Sequence, residues 1–235
     1  MLGRGTVLDA EQGYAKRTTK SFDAPVLSGA FSPDGAYSAA GAENGAARIF
    51  DVAADFEEAH SYQHEVGVDT MDISPDAQYL ASGARVGGQT AGMKLVELGS
   101  FEEVFSTSHK YEVAHAGFSP EGNYFAYQSF AVTIRILRVG NELSEVHTLE
   151  HAKPVLSLAF SPDGRYLTAG GRNGTVFFID TANDFAQVDR YVHVGNTINN
   201  EVTELAYSPD GRYLVSGTRF GEKNQLKIMR IEGGE

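Results

Sequence analysis

The 235-residue sequence contains no cysteine and no tryptophan, and its 19 lysines and arginines are outnumbered by 31 aspartates and glutamates. Without cysteine, a disulfide framework and a thiolate metal site are excluded. So is a cysteine nucleophile. The net charge of −12 repels phosphate backbones, so non-specific binding to DNA or RNA is not expected. No apolar run approaches the ~20 residues of a membrane span. The opening residues Met1-Leu2-Gly3-Arg4-Gly5-Thr6 lack the apolar stretch of a signal peptide. The chain reads as soluble and, by default, cytoplasmic. Catalytic signatures are missing as well: there is no Gly-rich loop ending in Lys-Ser/Thr and no Gly-x-Ser-x-Gly elbow.

What is present is repetition. Val26–Phe31 leads into Ser32-Pro33-Asp34-Gly35, and Val68–Ile73 into Ser74-Pro75-Asp76-Ala77. Val113–Phe118 leads into Ser119-Pro120-Glu121-Gly122, Val155–Phe160 into Ser161-Pro162-Asp163-Gly164, and Val202–Tyr207 into Ser208-Pro209-Asp210-Gly211. The turn serines are 42, 45, 42 and 47 residues apart, the period of a four-stranded propeller blade. Pro-Asp-Gly fixes φ, accepts a local hydrogen bond and then permits positive φ, which makes a tight hairpin. In the fourth repeat, strand a reads as Val155–Phe160, b as Tyr166–Gly170, c as Thr175–Asp180 and d as Phe185–Tyr191. The turn Arg172-Asn173-Gly174 joins b to c. No segment sustains a helical period, so the expected fold is all-β, a propeller of about five four-stranded antiparallel blades.

These residues resemble the WD-repeat family across nearly the whole chain. Where that family ends strand c in Trp-Asp, this chain has Phe50-Asp51 and Ile179-Asp180, then the weaker Val96-Glu97, Leu137-Arg138 and Met229-Arg230. The family often places a histidine four residues before the first Val of strand a. His64, His109 and His151 fit, whereas Phe22 and Ile198 do not. The resemblance implies that such a histidine is structural, in a network with a strand-b Ser or Thr, an Asp and the Trp. With Trp absent, and Asn44 and Asn173 in place of the Asp, blade rigidity is assigned mainly to packing.

The repeats divide a single domain, 1–235, into blades at about 26–66, 68–111, 113–153, 155–200 and 202–235. The last repeat stops after strand c, Gln225–Ile231. Tyr14–Phe22 is a candidate closing outer strand (14–22), which would complete that blade and remove an exposed sheet edge. Thr6–Asp9 duplicates a strand c for which a closed five-blade ring has no slot. A closed ring, which would be monomeric, therefore stands beside a partial propeller that would self-associate, or one domain of a longer repeat protein.

Function follows from sites rather than folds. Aligning the five b–c corners gives Glu43, Arg85, Phe130, Arg172 and Arg219, on the side that also carries the d–a loops. Arg and aromatic residues are enriched where proteins grip one another, and guanidinium forks suit carboxylates and phosphates. The expected role is a non-catalytic scaffold that binds a protein or peptide, acidic or phosphorylated, with no cofactor and no metal. Arg165 and Arg212 follow the Ser-Pro-Asp-Gly turns and should lie on the opposite side. His60 and His64 have an i,i+4 spacing that suits a metal only on a helix, and strand or loop is expected there. The competing reading is an enzyme or small-ligand binder that uses a central channel.

Overall fold

The computed structural model describes residues 3–9, 15–84, 91–109, 113, 115–129, 132–140, 142–193, 200–219 and 225–231. These residues contain strands and turns with no helix, and none of their segments is a helix long and apolar enough to cross a membrane. The chain divides into two compact units, Met1–Val113 and Ala114–Glu235.

The first unit holds a two-stranded sheet, β1 (Gly3–Asp9) and β2 (Ala15–Phe22), and two four-stranded sheets. One is β3 (Val26–Phe31), β4 (Tyr37–Ala42), β5 (Ala46–Asp51) and β6 (Glu57–Gln63). The other is β7 (Val68–Ile73), β8 (Tyr79–Ala84), β9 (Ala91–Glu97) and β10 (Glu103–His109). The second unit holds β11 (Ala116–Phe118), β12 (Tyr124–Ser129), β13 (Thr133–Arg138) and β14 (Ser144–Glu150) as one four-stranded sheet. The next is β15 (Val155–Phe160), β16 (Tyr166–Gly171), β17 (Thr175–Asp180) and β18 (Ala186–Val192). The last is three-stranded: β19 (Glu201–Tyr207), β20 (Tyr213–Arg219) and β21 (Leu226–Arg230). Each four-stranded sheet is an antiparallel meander, so the a–b and c–d turns lie at one end and the b–c turn at the other. Strand β2 pairs with β1 from Gly3↔Phe22 to Asp9↔Ala15.

The repeated turn works as its residues suggest. Ser161 Oγ donates to Asp163 at 2.5 Å and accepts from the Tyr166 amide at 2.9 Å, while Gly164 takes a φ of 70°. Ser208, Asp210 and Tyr213 repeat this at 2.6 and 3.0 Å. Ala77 stands where the other repeats have glycine and is held at a φ of 58°.

Adjacent sheets pack through a second repeated device. A bulge after the first residue of strand a sets Ser28 opposite Gly41 and Ser157 opposite Gly170. Each serine donates across the interface to the first valine of the next sheet: Ser28 Oγ to Val68 O at 2.7 Å, Ser157 Oγ to Val202 O at 3.0 Å. That valine lies against the strand-b glycine. A Cβ on Gly41 would come within 2.6 Å of Val68 Cγ1, one on Gly83 within 3.0 Å of Val113 Cγ1, and one on Gly170 within 2.7 Å of Val202 Cγ1. Val68, Val113 and Val202 are fully buried as a result. Gln128 takes the glycine's place in β12; it is buried, and both its amide atoms lack a partner.

The c–d turns supply a wedge that the sequence reading missed. Phe56, Phe101 and Phe185 sit at left-handed φ values of 61°, 59° and 55°. Phe101 stacks on His60 at 5.1 Å and meets Tyr37 edge-on at 5.9 Å, both in the preceding sheet. Phe185 meets Tyr124 edge-on at 5.1 Å and lies tilted against His147 at 5.6 Å. Left-handed backbone at a non-glycine residue costs about 1–2 kcal/mol, less than the 3–5 kcal/mol lost on removing a buried phenylalanine.

The glycine contacts make a contrast that unfolding can read. Gly170→Ala should destabilise the protein by about 1–3 kcal/mol through overpacking. Gly217→Ala should be neutral, because the nearest atom to a Cβ there is Glu204 Cβ at 3.6 Å. Urea titrations of the two variants would check the difference.

Candidate functional site

The end of each sheet that carries the b–c turn is where the five aligned positions were expected. Glu43 lies exposed in the β4–β5 turn, its amide bonded to Pro25 O at 2.8 Å. Arg172 occupies the same place in the β16–β17 turn, with its amide on Pro154 O at 2.7 Å. Its Nε donates to Glu201 Oε1 at 2.5 Å, on the first strand of the next sheet. The Arg172 side chain is 56% exposed and that of Glu201 13%. Arg219 closes β20 and is exposed. Arg85 and Phe130 lie outside the described residues. Glu43 belongs to the first unit and Arg172 and Arg219 to the second. At the opposite end of the sheets, Arg165 stacks over Tyr166 at 5.1 Å and Arg212 Nε binds Asp210 at 2.6 Å.

The loop histidines build links between sheets. His64 follows β6, is 4% exposed, and its Nε2 lies 2.8 Å from Ser82 Oγ on β8. Tyr62 OH reaches the same Ser82 Oγ at 2.8 Å. In the second unit, His193 follows β18 and its Nε2 lies 2.9 Å from Ser216 Oγ on β20, with Tyr191 OH on the same hydroxyl. Beside the packing, a Tyr-x-His pair on strand d and a Ser on strand b form a polar link without Trp or Asp. His193 escaped the sequence reading because it stands nine residues before Val202 rather than four (202 − 193). Its signal was the triplet Tyr191-Val192-His193, which echoes Tyr62-Gln63-His64.

Not every histidine finds its serine. Around His151 the sequence substitutes Leu149 for the tyrosine and Ala169 for the serine. His151 packs at a tilt against Phe177 at 4.8 Å, and its Nε2 is buried without a partner. His109 ends β10, and its side chain lies outside those described. His60 stacks on Phe101, so the two i,i+4 histidines, both placed by a strand, serve separate packing roles.

Burial drives the electrostatics of these links. It pushes His64 down from 6.5 to about 4, helped by the charge of Lys94 and opposed by Glu103. Burial likewise lowers His193, with Lys227 acting in the same direction, and lowers His151. Tyr62 is pushed up to about 12 by the same loss of solvent. At neutral pH the links are therefore uncharged. A groove of about 530 Å³ runs beside His64, with Lys94, Ser106 and Ser108 on its wall. Lys94 is held there by Glu103 at 2.7 Å.

Residues 16–51, 143–180 and 190–228 match the family model for the WD domain, G-beta repeat. The chain carries WD40 repeats. Each match runs d–a–b–c, so a WD40 sequence repeat takes its strand d from one sheet and its other strands from the next. The β-propeller domain of Cps50 (Swd1) from Myceliophteria thermophila superposes with a TM-score of 0.69, at 17% identity over 83% of this chain and 62% of that one. Hydrazine synthase of Kuenenia stuttgartiensis gives 0.71, at 18% identity over 96% of this chain and 77% of that one. At such identities the likeness is one of fold. No curated protein sequence matches the chain. WD40 propellers generally act as protein-interaction scaffolds and are typically non-catalytic.

Two measurements test the histidine links. His64 binds a proton less readily folded than unfolded, so its contribution is complete above pH 6.5 and is lost as pH falls toward 4. The loss should reach about 3 kcal/mol for a shift of this size, and His64→Gln should flatten the profile of unfolding free energy over that range. Ala169→Ser should give His151 its missing partner and stabilise by about 1 kcal/mol, read as a higher urea midpoint.

Proposed function

We propose that the chain is a non-catalytic scaffold that holds an acidic or phosphorylated segment of a partner protein on the end of the sheets bearing the d–a and b–c connections. The contact positions are Glu43, Arg85, Phe130, Arg172 and Arg219. The observation that carries the reading is Arg172: Glu201 fixes its Nε, yet the side chain remains 56% exposed. A guanidinium has five N–H donors, so a carboxylate or phosphate can still be gripped by the rest of the fork. Held by Glu201, the arginine loses less freedom on binding, which favours a preorganised site. The hydrogen-bonded turn beneath it and the interlocked sheets behind it keep the corner rigid. On a chain with a net charge of −12, an arginine-bearing corner gives an acidic segment a local place to dock.

The test is binding of the whole chain to an array of acidic and phosphorylated peptides. Combined Arg85→Glu, Arg172→Glu and Arg219→Glu should weaken binding roughly tenfold or more, equivalent to ~1.4 kcal/mol, and the wild-type signal should fall with salt. Arg165→Glu and Arg212→Glu should leave it unchanged. Equal binding by the triple variant, or loss confined to the Arg165 and Arg212 variants, would place the partner elsewhere.

A further inference from the structure

The groove beside His64 lies between the β3–β6 and β7–β10 sheets, and its whole wall belongs to the first unit. It opens because β9 and β10 carry small residues on the face that lines it. Gly92 pairs there with Ser108. The same two places hold Ala46 and Gln63 in the β3–β6 sheet, Thr133 and Glu150 in the β11–β14 sheet, and Thr175 and Val192 in the β15–β18 sheet. Directly paired residues share a face, so the two small side chains leave one hollow. Strand β9 cannot fill it: a Cβ on Gly92 would come within 2.5 Å of Thr107 O. The hollow is also held in shape. His64 and Tyr62 both meet Ser82 at 2.8 Å, and Ser28 donates to Val68 O, so the two sheets are fixed against each other.

The wall offers hydrogen bonds of both kinds. Lys94 Nζ donates to Glu103 at 2.7 Å, and the Ser106 hydroxyl donates to the same carboxylate; together they hold Glu103 below its usual range. An ammonium has three N–H donors, so Lys94 keeps donors to spare, and Ser106 keeps its oxygen as an acceptor. Gln63 Nε2 is spent on Asn44 O at 2.6 Å and His64 O at 3.0 Å, which leaves its side-chain carbonyl as an acceptor. Ser108 is exposed and can donate or accept. An anion would face Glu65 on the same wall and find Lys94 already neutralised by Glu103. A cation would gain only Glu65 and leave the Lys94 donors unused. A neutral ligand with several hydroxyls uses both kinds of group, because each hydroxyl donates and accepts.

We propose that this groove binds a small neutral polyhydroxyl ligand, a sugar ring, whose hydroxyls accept from Lys94 and donate to Gln63 and Ser106, with Ser108 contacting it from β10. The groove's volume of about 530 Å³ falls within the roughly 300–1,000 Å³ of small-molecule sites. The Lys94–Glu103 pair and the Gln63 bonds fix the binding groups before the ligand arrives, which lowers the ordering cost. No residue of the groove is among the five corner positions, so either reading can fail alone.

The probes are D-glucose, D-galactose, D-mannose and N-acetyl-D-glucosamine, added singly to the full chain and followed by ligand-observed NMR titration. At least one should bind saturably, with a dissociation constant on the order of 1 mM. Ser108→Tyr, which fills the groove, should abolish that binding, and Lys94→Met should weaken it about tenfold. Because Ser108 is exposed, its variant should fold normally, which its unfolding curve would verify. Equal binding of the methyl glycoside would identify a glycan end as the source, and its loss a free sugar. The proposal is overturned by no saturable binding of any probe up to about 50 mM, by unchanged binding to the Ser108→Tyr variant, or by acetate or inorganic phosphate binding in a sugar's place.

Discussion

The lack of a side chain on strand b is the constraint on which the sheet packing depends. Gly41, Gly83 and Gly170 leave room for one valine each, and at Gly41 and Gly170 that valine brings the next sheet close enough for a strand-a serine to reach its carbonyl. At Gly41 and Gly170 the hydrogen bond and the apolar contact share one geometry. Dispersion at such close approach is summed over many atom pairs, and an added methyl would force the sheets apart along their length. Gln128, which fills this place in β12, shows the other outcome: a buried amide with both ends unsatisfied, beside a first strand reduced to Ala116–Phe118.

Around this inner contact the molecule adds two outer ones. The c–d phenylalanines wedge back onto the preceding sheet at one end, and the Tyr-x-His links reach forward to the next sheet's strand b. The phenylalanines accept strained backbone to reach their sites, and the histidines accept desolvation. Burial keeps the imidazoles neutral, which suits a hydrogen bond to a serine hydroxyl and avoids a second positive charge next to Lys94 or Lys227.

The sequence exposes the parts of this plan that are local. Ser-Pro-Asp-Gly and the Asn-Gly corners mark hairpins because a turn's backbone demands particular residues within four positions. Strand order, period and the all-β class follow from them. What spans sheets is hidden. Phe56, Phe101 and Phe185 look like ordinary apolar residues, since no glycine marks the left-handed backbone they occupy. His193 is masked by a longer connection before Val202. Arg172 reads as a solvated corner residue, because its partner Glu201 is 29 positions away and meets it only when two sheets pack.

The offset between the repeat in sequence and the sheet in space has one more consequence. His64 and Ser82 belong to one sequence repeat but to two sheets, and so do His193 and Ser216. Duplicating or deleting a whole d–a–b–c segment therefore carries each polar link intact to its new position, whereas a cut in a d–a connection separates histidine from serine. Copying with boundaries in the c–d turn lengthens or shortens such a chain and leaves each histidine–serine seam already sewn.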